Sequence, residues 1–335
     1  MILDPKIPAK IAQLENTYDA LRYRSIQTLS MEMAETREHF RAVPEGLEWR
    51  KVEPGELWGE DWTTAWFRGA VTVPSELDGQ TVFLRAKTGA PEAMLFVDEV
   101  IRGVFDPNHP VRVMDLQAKG GKSYAIALEA YAGHNFPGVH PAHTEGSADG
   151  VVYVRKEDRK YSTVELVVER PDVSRFVFGL RALRQLSEVL DPNSLRRGRI
   201  IHAFEEIFRV VWARPEETNE EIWQRGIAEA MAVIQPLLEH KNGPTAPTMG
   251  IVGHSHIDTA WLWTIAETWR KLGRTYSSVL ALMDQYPEFK FTQSAAYHYE
   301  KARELYPEVF ARVVERVKEG RWEVNGAMYI EPDCN

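Results

Sequence analysis

The chain has 335 residues, of which 44% are hydrophobic and 27% charged, and its formal net charge is −9 at pH 7. This length exceeds one ordinary domain and predicts two or three domains of a globular protein. The acidic balance argues against nucleic acids and anionic membranes as partners, because both select basic protein surfaces. It leaves a neutral ligand such as a sugar open.

The expected location follows from three features of the sequence. Cys334 is the single cysteine, so an intrachain disulfide is excluded. The N-terminal residues lack the basic region and apolar core of a secretory signal. No run reaches the eighteen or so uninterrupted apolar residues of a membrane span. We therefore expect a cytoplasmic protein.

The first predicted element is a helical arm over residues 1–50. Ile11, Leu14, Tyr18 and Leu21 recur at steps of three and four residues, which places them on one stripe of a helix. The pattern indicates an arm that packs against another domain.

Residues 51–170 are predicted to form a β-sandwich of the jelly-roll type. Short β-type runs alternate there with turn-forming segments such as Leu77-Asp78-Gly79, and many short strands at this spacing are typical of a sandwich. Four aromatic residues could stack on a sugar, but core and inter-domain packing is the favoured interpretation: Trp58, Trp62, Trp66 and Phe67. A loop with three histidines over residues 134–143 is interpreted as solvated, since its spacing does not favour metal binding.

A helical connector is predicted over residues 171–245. Its first helix ends at Asp191-Pro192, and two more follow at about 199–211 and 219–238. The Gly- and Pro-containing residues 241–247 then read as a linker.

Residues 246–335 alternate strands with helices, which predicts a parallel sheet with right-handed crossovers. Strands are expected at 249–253, 289–292 and 322–325, the first of them buried. The helix between the first two strands has an apolar face formed by Leu272, Tyr276, Val279, Leu280 and Met283. Another helix begins at Pro307 and ends before Gly320. The predicted fold is thus multidomain, with α+β parts followed by the N-terminal part of an α/β domain, which the family resemblance described below implies to be catalytic.

Two polar segments follow strands of this sheet. The first is His254-Ser-His-Ile-Asp-Thr-Ala-Trp261, and the second is Glu331-Pro-Asp-Cys-Asn335. His256 and Asp258 are two residues apart, so in extended backbone both side chains point to one face. One imidazole and one carboxylate are two of the ligands that a catalytic zinc ion takes. The carboxyl ends of parallel strands share an edge, so Asp333 is expected to approach this pair.

These segments resemble the signature segments of the family 38 glycoside hydrolases, the retaining, zinc-dependent α-mannosidases. The cytosolic and bacterial branch is the most similar. The first match runs from His254 to Trp263 and continues through Glu267-Thr268 and Arg270-Lys271. The second comprises Gly320-Arg-Trp-Glu323 and Glu331–Asn335. The two segments occur in the family's order and at its separation.

The resemblance implies a function and a set of site residues. The function is hydrolysis of terminal α-D-mannosidic bonds in oligosaccharides, as in free-glycan catabolism, with zinc, or another divalent cation such as cobalt, as cofactor. His256 and Asp258 would be metal ligands, Asp333 both a ligand and the catalytic nucleophile, and Trp261 the ring that stacks under the sugar. A homo-oligomer is compatible with the resemblance. Since the family supplies its acid/base and a further histidine ligand from later segments, we expect the chain to be cut within its catalytic domain. We expect it to be inactive by itself and to bind zinc weakly.

Several alternatives stay open at this point. His254 could replace His256 as ligand, Trp263 is interpreted as a core residue, and His298 as a structural one on a helix. A metal-dependent hydrolase of the amidohydrolase or deacetylase kind also uses His-x-His or His-x-Asp after a strand. A non-catalytic carbohydrate-binding protein that uses the β domain is the third candidate.

Overall fold

The computed structural model describes residues 6–133, 136–137, 151–152, 159–261, 263–326 and 328–331. The chain divides into two compact units, one of Met1–Arg24 with Val168–Met249 and the other of Ser25–Val167 with Gly250–Asn335. No helix in the described ranges is long and apolar enough to span a membrane.

The first unit is a bundle of four helices. They are α1 (Lys6–Asp19), α2 (Pro171–Val189), α3 (Leu195–Val210) and α4 (Glu220–Leu238). Side-chain caps begin two of them: Ser194 accepts a hydrogen bond from the Arg197 amide, and Asn219 accepts one from the Ile222 amide. Their buried faces share one core that includes Ile11, Tyr18, Phe176, Phe204 and Ile227. The three helices predicted after residue 171 are confirmed.

The helical arm predicted over residues 1–50 is wrong beyond Asp19. Two strands follow α1, namely β1 (Tyr23–Thr28) and β2 (Glu32–Thr36). Glu, Met and Ala in β2 are residues that favour helices. However, β2 pairs along its whole length with a strand at Thr64–Thr72 and buries Met33 and Ala34. Pairing with a distant strand outweighs the local preference.

The β-sandwich of the second unit is confirmed and has a jelly-roll organisation. Its further strands are β3 (Arg50–Lys51), β4 (Thr64–Thr72), β5 (Val82–Lys87), β6 (Glu92–Val97), β7 (Val100–Phe105), β8 (Val111–Asp115), β9 (Ser123–Tyr131), β10 (Phe136–Pro137), β11 (Val151–Val152) and β12 (Thr163–Glu169). One sheet has the order β3-β2-β4-β9-β6-β7 and another the order β1-β12-β5-β8. Trp58, Trp66 and Phe67 are buried, as the packing interpretation predicts, and Trp62 is 36% exposed.

The α/β segment begins with a parallel sheet, as predicted. Its strands are β13 (Gly253–His254), β14 (Phe291–Gln293) and β15 (Trp322–Val324), in that order, and both pairings are parallel. The connecting helices are α5 (Ile265–Gln285), α6 (Ala296–Leu305) and α7 (Pro307–Lys318). All five residues of the predicted apolar face of α5 are buried. This face, β14 and β15 share one core with the six-stranded sheet of the sandwich, through residues such as Trp66, Phe96 and Ile101.

The buried strand predicted at 249–253 is wrong in extent and in burial. The strand begins only at Gly253, whose amide donates to the Lys290 carbonyl at 2.9 Å. Ile251 is 88% exposed, so the apolar run before Gly253 does not enter the core. Gly253 itself suits the start of the pairing, because a Cβ there would lie 2.9 Å from the Phe289 ring. A residue with a side chain at this position would clash with Phe289.

Candidate metal and active site

The loop after β13 brings the predicted pair of ligands together. The Nε2 atom of His256 lies 3.0 Å from the Oδ1 atom of Asp258. The two side chains are 49% and 31% exposed, so both are accessible from solvent. The prediction that residues two apart in this loop share one face is therefore confirmed for this pair.

Glu331 approaches the same histidine from the other side of its ring. Its Oε2 atom lies 3.1 Å from Nδ1 of His256, so the two sequence segments meet at this contact. The hydrogen bond with Asp258 raises the pKa of His256, burial opposes this, and Glu331 adds to the increase. Glu331 belongs to the second sequence segment, but its sequence pattern alone predicts no role for it. Its position two residues before Asp333 is the signal in the sequence that points to it.

The hydroxyl of Thr268, on the first turn of α5, holds the loop in shape. The side chain is fully buried. Its Oγ1 accepts hydrogen bonds from the Ala260 amide and from Nε1 of Trp263, each at 3.0 Å, and donates to the Asp258 carbonyl at 3.3 Å. A hydroxyl has one proton to donate and two lone pairs, so this one is fully used by the loop.

Helix α6 contacts both segments of the site. His298 on this helix is buried, and its Nε2 atom lies 2.8 Å from Oγ1 of Thr259. The amides of Ala296 and Tyr297 donate to the carbonyls of Met328 and Tyr329 at 3.2 and 2.9 Å. The placement of His298 on a helix is confirmed. Burial lowers its pKa, Glu331 opposes this, and His256 adds to the decrease.

Two tryptophans follow His256 and Asp258 in the same loop. Trp261 is 57% exposed, and its ring meets that of Trp263 edge to face with centroids 5.4 Å apart. Trp263 is partly exposed, so its interpretation as a core residue is wrong. Its indole nitrogen is tied to Thr268, and the Lys271 ammonium lies over its ring at 4.7 Å. Trp263 therefore supports the loop, and Trp261 presents an open aromatic surface.

A buried group of charges links α5 to the β-sandwich below the site. Glu267 pairs with Arg270 at 2.6 Å and with Arg274, and all three side chains are almost fully buried. Arg270 also donates to Oγ1 of Thr64 at 2.8 Å and lies 3.6 Å from Glu129 of β9. Burial raises the pKa of Glu267, but the positive charges of Arg274 and Arg270 outweigh it, and the pKa lies below its usual range. These pairs fix the first turns of α5, and with them Thr268.

Two segments of the chain match domain families of known proteins. Residues 246–335 match the N-terminal domain of the family 38 glycosyl hydrolases, and residues 24–158 match the jelly-roll domain of α-mannosidases. Together the two matched segments are similar to the family 38 α-mannosidases. The site residues with described side chains all lie within the matched family 38 segment.

Alpha-mannosidases from several organisms are similar to the chain, some over most of its length and the yeast protein over a quarter of it. Alpha-mannosidase G of Dictyostelium discoideum is 26% identical over 86% of this chain and 26% of its own length. Human alpha-mannosidase 2C1 is 26% identical over 86% of this chain and 27% of its own length. The alpha-mannosidase of Saccharomyces cerevisiae is 41% identical over 25% of this chain and 8% of its own length. The chain thus spans about a quarter of the length of the first two.

The donor atoms of His256 and Asp258 fit part of a zinc site. Zinc binds histidine nitrogen and carboxylate oxygen at about 2.0–2.2 Å in a tetrahedral arrangement, so two of its ligands lie about 3.4 Å apart. The 3.0 Å between His256 Nε2 and Asp258 Oδ1 is within a few tenths of an ångström of that separation. In the described part of the chain, no group of three His, Cys, Asp or Glu side chains is arranged to hold a metal ion. Asp333, the third predicted ligand, lies outside the described residues, as do the three histidines of 134–143.

Proposed function

We propose that the protein hydrolyses terminal α-D-mannosidic bonds in oligosaccharides with retention of configuration and with a zinc ion, or a similar divalent cation, at its active site. The observation that carries the proposal is the pairing of His256 with Asp258 at the end of β13, inside the segment that matches family 38. The family match gives the competing amidohydrolase interpretation no support. The jelly-roll match likewise favours an α-mannosidase over a separate carbohydrate-binding protein.

In this proposal each predicted residue has one task. His256 and Asp258 hold the cation together with Asp333. When bound, the cation supplies positive charge and coordination positions for sugar hydroxyls. Trp261, with its exposed ring, lies against the apolar face of the sugar at the cleavage site.

Asp333 carries the covalent step. A carboxylate beside positive charge stays ionised at neutral pH and can act as a nucleophile. One carboxylate oxygen attacks the anomeric carbon, the bond to the leaving oxygen breaks, and an acid/base group outside the assigned residues protonates that oxygen. The same group then takes a proton from water, the water oxygen bonds to the anomeric carbon as the bond to Asp333 breaks, and the product has the configuration of the substrate. Mannose offers cis hydroxyls at carbons two and three, and glucose does not, which predicts preference for mannosides.

The test is an assay of the full-length protein with an aryl α-mannoside and the matching aryl α-glucoside. We expect cleavage of the mannoside only, an α anomer as first product by NMR, and a loss of activity in Asp333→Asn of at least a thousandfold. Glu304→Gln, which changes an exposed carboxylate on α6, serves as the control. Wild-type activity in Asp333→Asn, or a β anomer as first product, would contradict the mechanism. The same assay on the 335-residue chain tests the expectation that it is inactive by itself.

A further inference from the structure

We propose that Glu331 is a positioning residue that orients the ring of His256, so that Nε2 faces the cation site beside Asp258. The inference rests on the proposed function and adds a residue to its site. It starts from the two ring contacts of His256: Asp258 at 3.0 Å on Nε2 and Glu331 at 3.1 Å on Nδ1.

The two nitrogens of an imidazole point away from each other, so the two carboxylates lie on opposite sides of the His256 ring. A carboxylate beside Nδ1 accepts a hydrogen bond from the Nδ1–H group. The ring is then in the tautomer whose Nε2 has a free lone pair that can bind a metal. Histidines that bind metals usually donate their other ring N–H to a carboxylate, a carbonyl or a water, which fixes the tautomer and the ring orientation. Glu331 stands where such a partner is required.

The segment that carries Glu331 is itself fixed. The first amides of α6 donate to the carbonyls of Met328 and Tyr329. The hydroxyl of Tyr329 donates to Glu300 of the same helix at 2.8 Å. Glu331 is 28% exposed, so its carboxylate is partly shielded from competing water. The contact with His256 therefore joins two anchored segments, 75 residues apart in sequence.

Two substitutions at position 331, to glutamine and to alanine, test whether Glu331 orients His256. Glutamine at position 331 keeps an oxygen that can accept from Nδ1–H but loses the negative charge, and alanine loses both. A purely structural role would make the two variants differ in stability alone. A positioning role makes them differ in how tightly the site holds a metal.

The experiment measures binding of Zn²⁺ and Co²⁺ to metal-depleted full-length protein by competition with a chromophoric chelator, and records the visible absorption of bound Co²⁺. We expect Glu331→Ala to weaken metal binding about 10- to 100-fold, the range for partners of ligating residues. Glu331→Gln should lose less, and the control Glu304→Gln, at an exposed glutamate of α6, nothing. With saturating metal, the kcat of Glu331→Gln should return close to the wild-type value. Its Co²⁺ spectrum should keep the wild-type intensity, because no ligand is lost.

Three results would overturn the inference. Wild-type metal affinity in Glu331→Ala, with thermal unfolding unchanged, removes the positioning role. A Co²⁺ spectrum of Glu331→Gln altered as strongly as that of His256→Ala means that Glu331 is itself a ligand. Wild-type protein that binds neither metal overturns the proposed function and, with it, this inference. The first two results overturn the inference alone and leave the proposed function standing, so the two failures can be told apart.

Discussion

The buried carboxylate of Glu267 gives the sharpest prediction on stability. In Glu267→Gln the amide keeps one acceptor oxygen but turns a donor towards the second guanidinium. Removing one partner of a buried ion pair costs about 3–5 kcal/mol, because an uncompensated charge stays behind. Arg274 keeps an ion pair with Glu92 at 2.8 Å, and Arg270 keeps its hydrogen bond to Thr64. We therefore expect the lower end, about 3 kcal/mol.

For a unit of this size, about 3 kcal/mol corresponds to a decrease in Tm of roughly 6–12 °C. The assay is thermal and urea unfolding of wild type and variant, followed by tryptophan fluorescence. The control is Glu304→Gln, which breaks the exposed pair of Lys301 and Glu304 on α6 and should leave the midpoint unchanged. If Glu267→Gln and Glu304→Gln unfold at the same midpoint, the buried charges do not hold α5 and the reasoning is refuted.

The stability difference between wild type and Glu267→Gln should also depend on pH. Because the pKa of Glu267 is lowered in the folded protein, its contribution to stability is present above the usual pKa of a glutamate. The contribution is lost as the pH falls through the lower, folded-state pKa. The difference between wild type and Glu267→Gln should therefore be constant near neutral pH and become smaller below about pH 4. A difference that grows in acid would contradict the assigned direction.

Three further predictions concern packing, loop shape and pH. Gly273→Ala should destabilise by about 1–3 kcal/mol in urea unfolding, because a Cβ there would lie 2.6 Å from the Tyr306 ring; Gly198→Ala, with open space around it, should instead stabilise slightly. Thr268→Val should weaken Zn²⁺ binding, measured by chelator competition, and Thr268→Ser should restore it; equal affinities would remove the role of the hydroxyl. The pKa of buried His298 is lowered, so stability should fall as the pH drops below the usual histidine range. His298→Gln should flatten that part of the unfolding profile, and an unchanged profile would contradict the assignment.

The sequence predicts the order of elements well where a local pattern decides it. A periodic apolar pattern in the sequence predicts the buried face of α5, and Gly320 predicts the end of α7. The structure confirms both predictions. The pairing of His256 with Asp258 belongs to the same class, because two residues of one loop need no distant partner to meet.

What the sequence did not predict depends on distant partners. β2 is a strand because β4 pairs with it. Glu331 reaches His256 only because α6 holds the second segment beside the first. Arg270 and Arg274 look like residues of a solvent-exposed helix face, and they are buried because the six-stranded sheet lies against α5. A single sequence carries no local signal for such contacts.

The most direct test of the account is the return of activity when metal is added back. Full-length protein is depleted with a chelator, and hydrolysis of an aryl α-mannoside is followed as Zn²⁺ or Co²⁺ is added, for wild type and for Asp258→Asn. The account predicts no activity in depleted wild type, full recovery with added metal, and a much higher metal requirement in Asp258→Asn. Full activity in the depleted protein, unchanged by the substitution at Asp258, would contradict it.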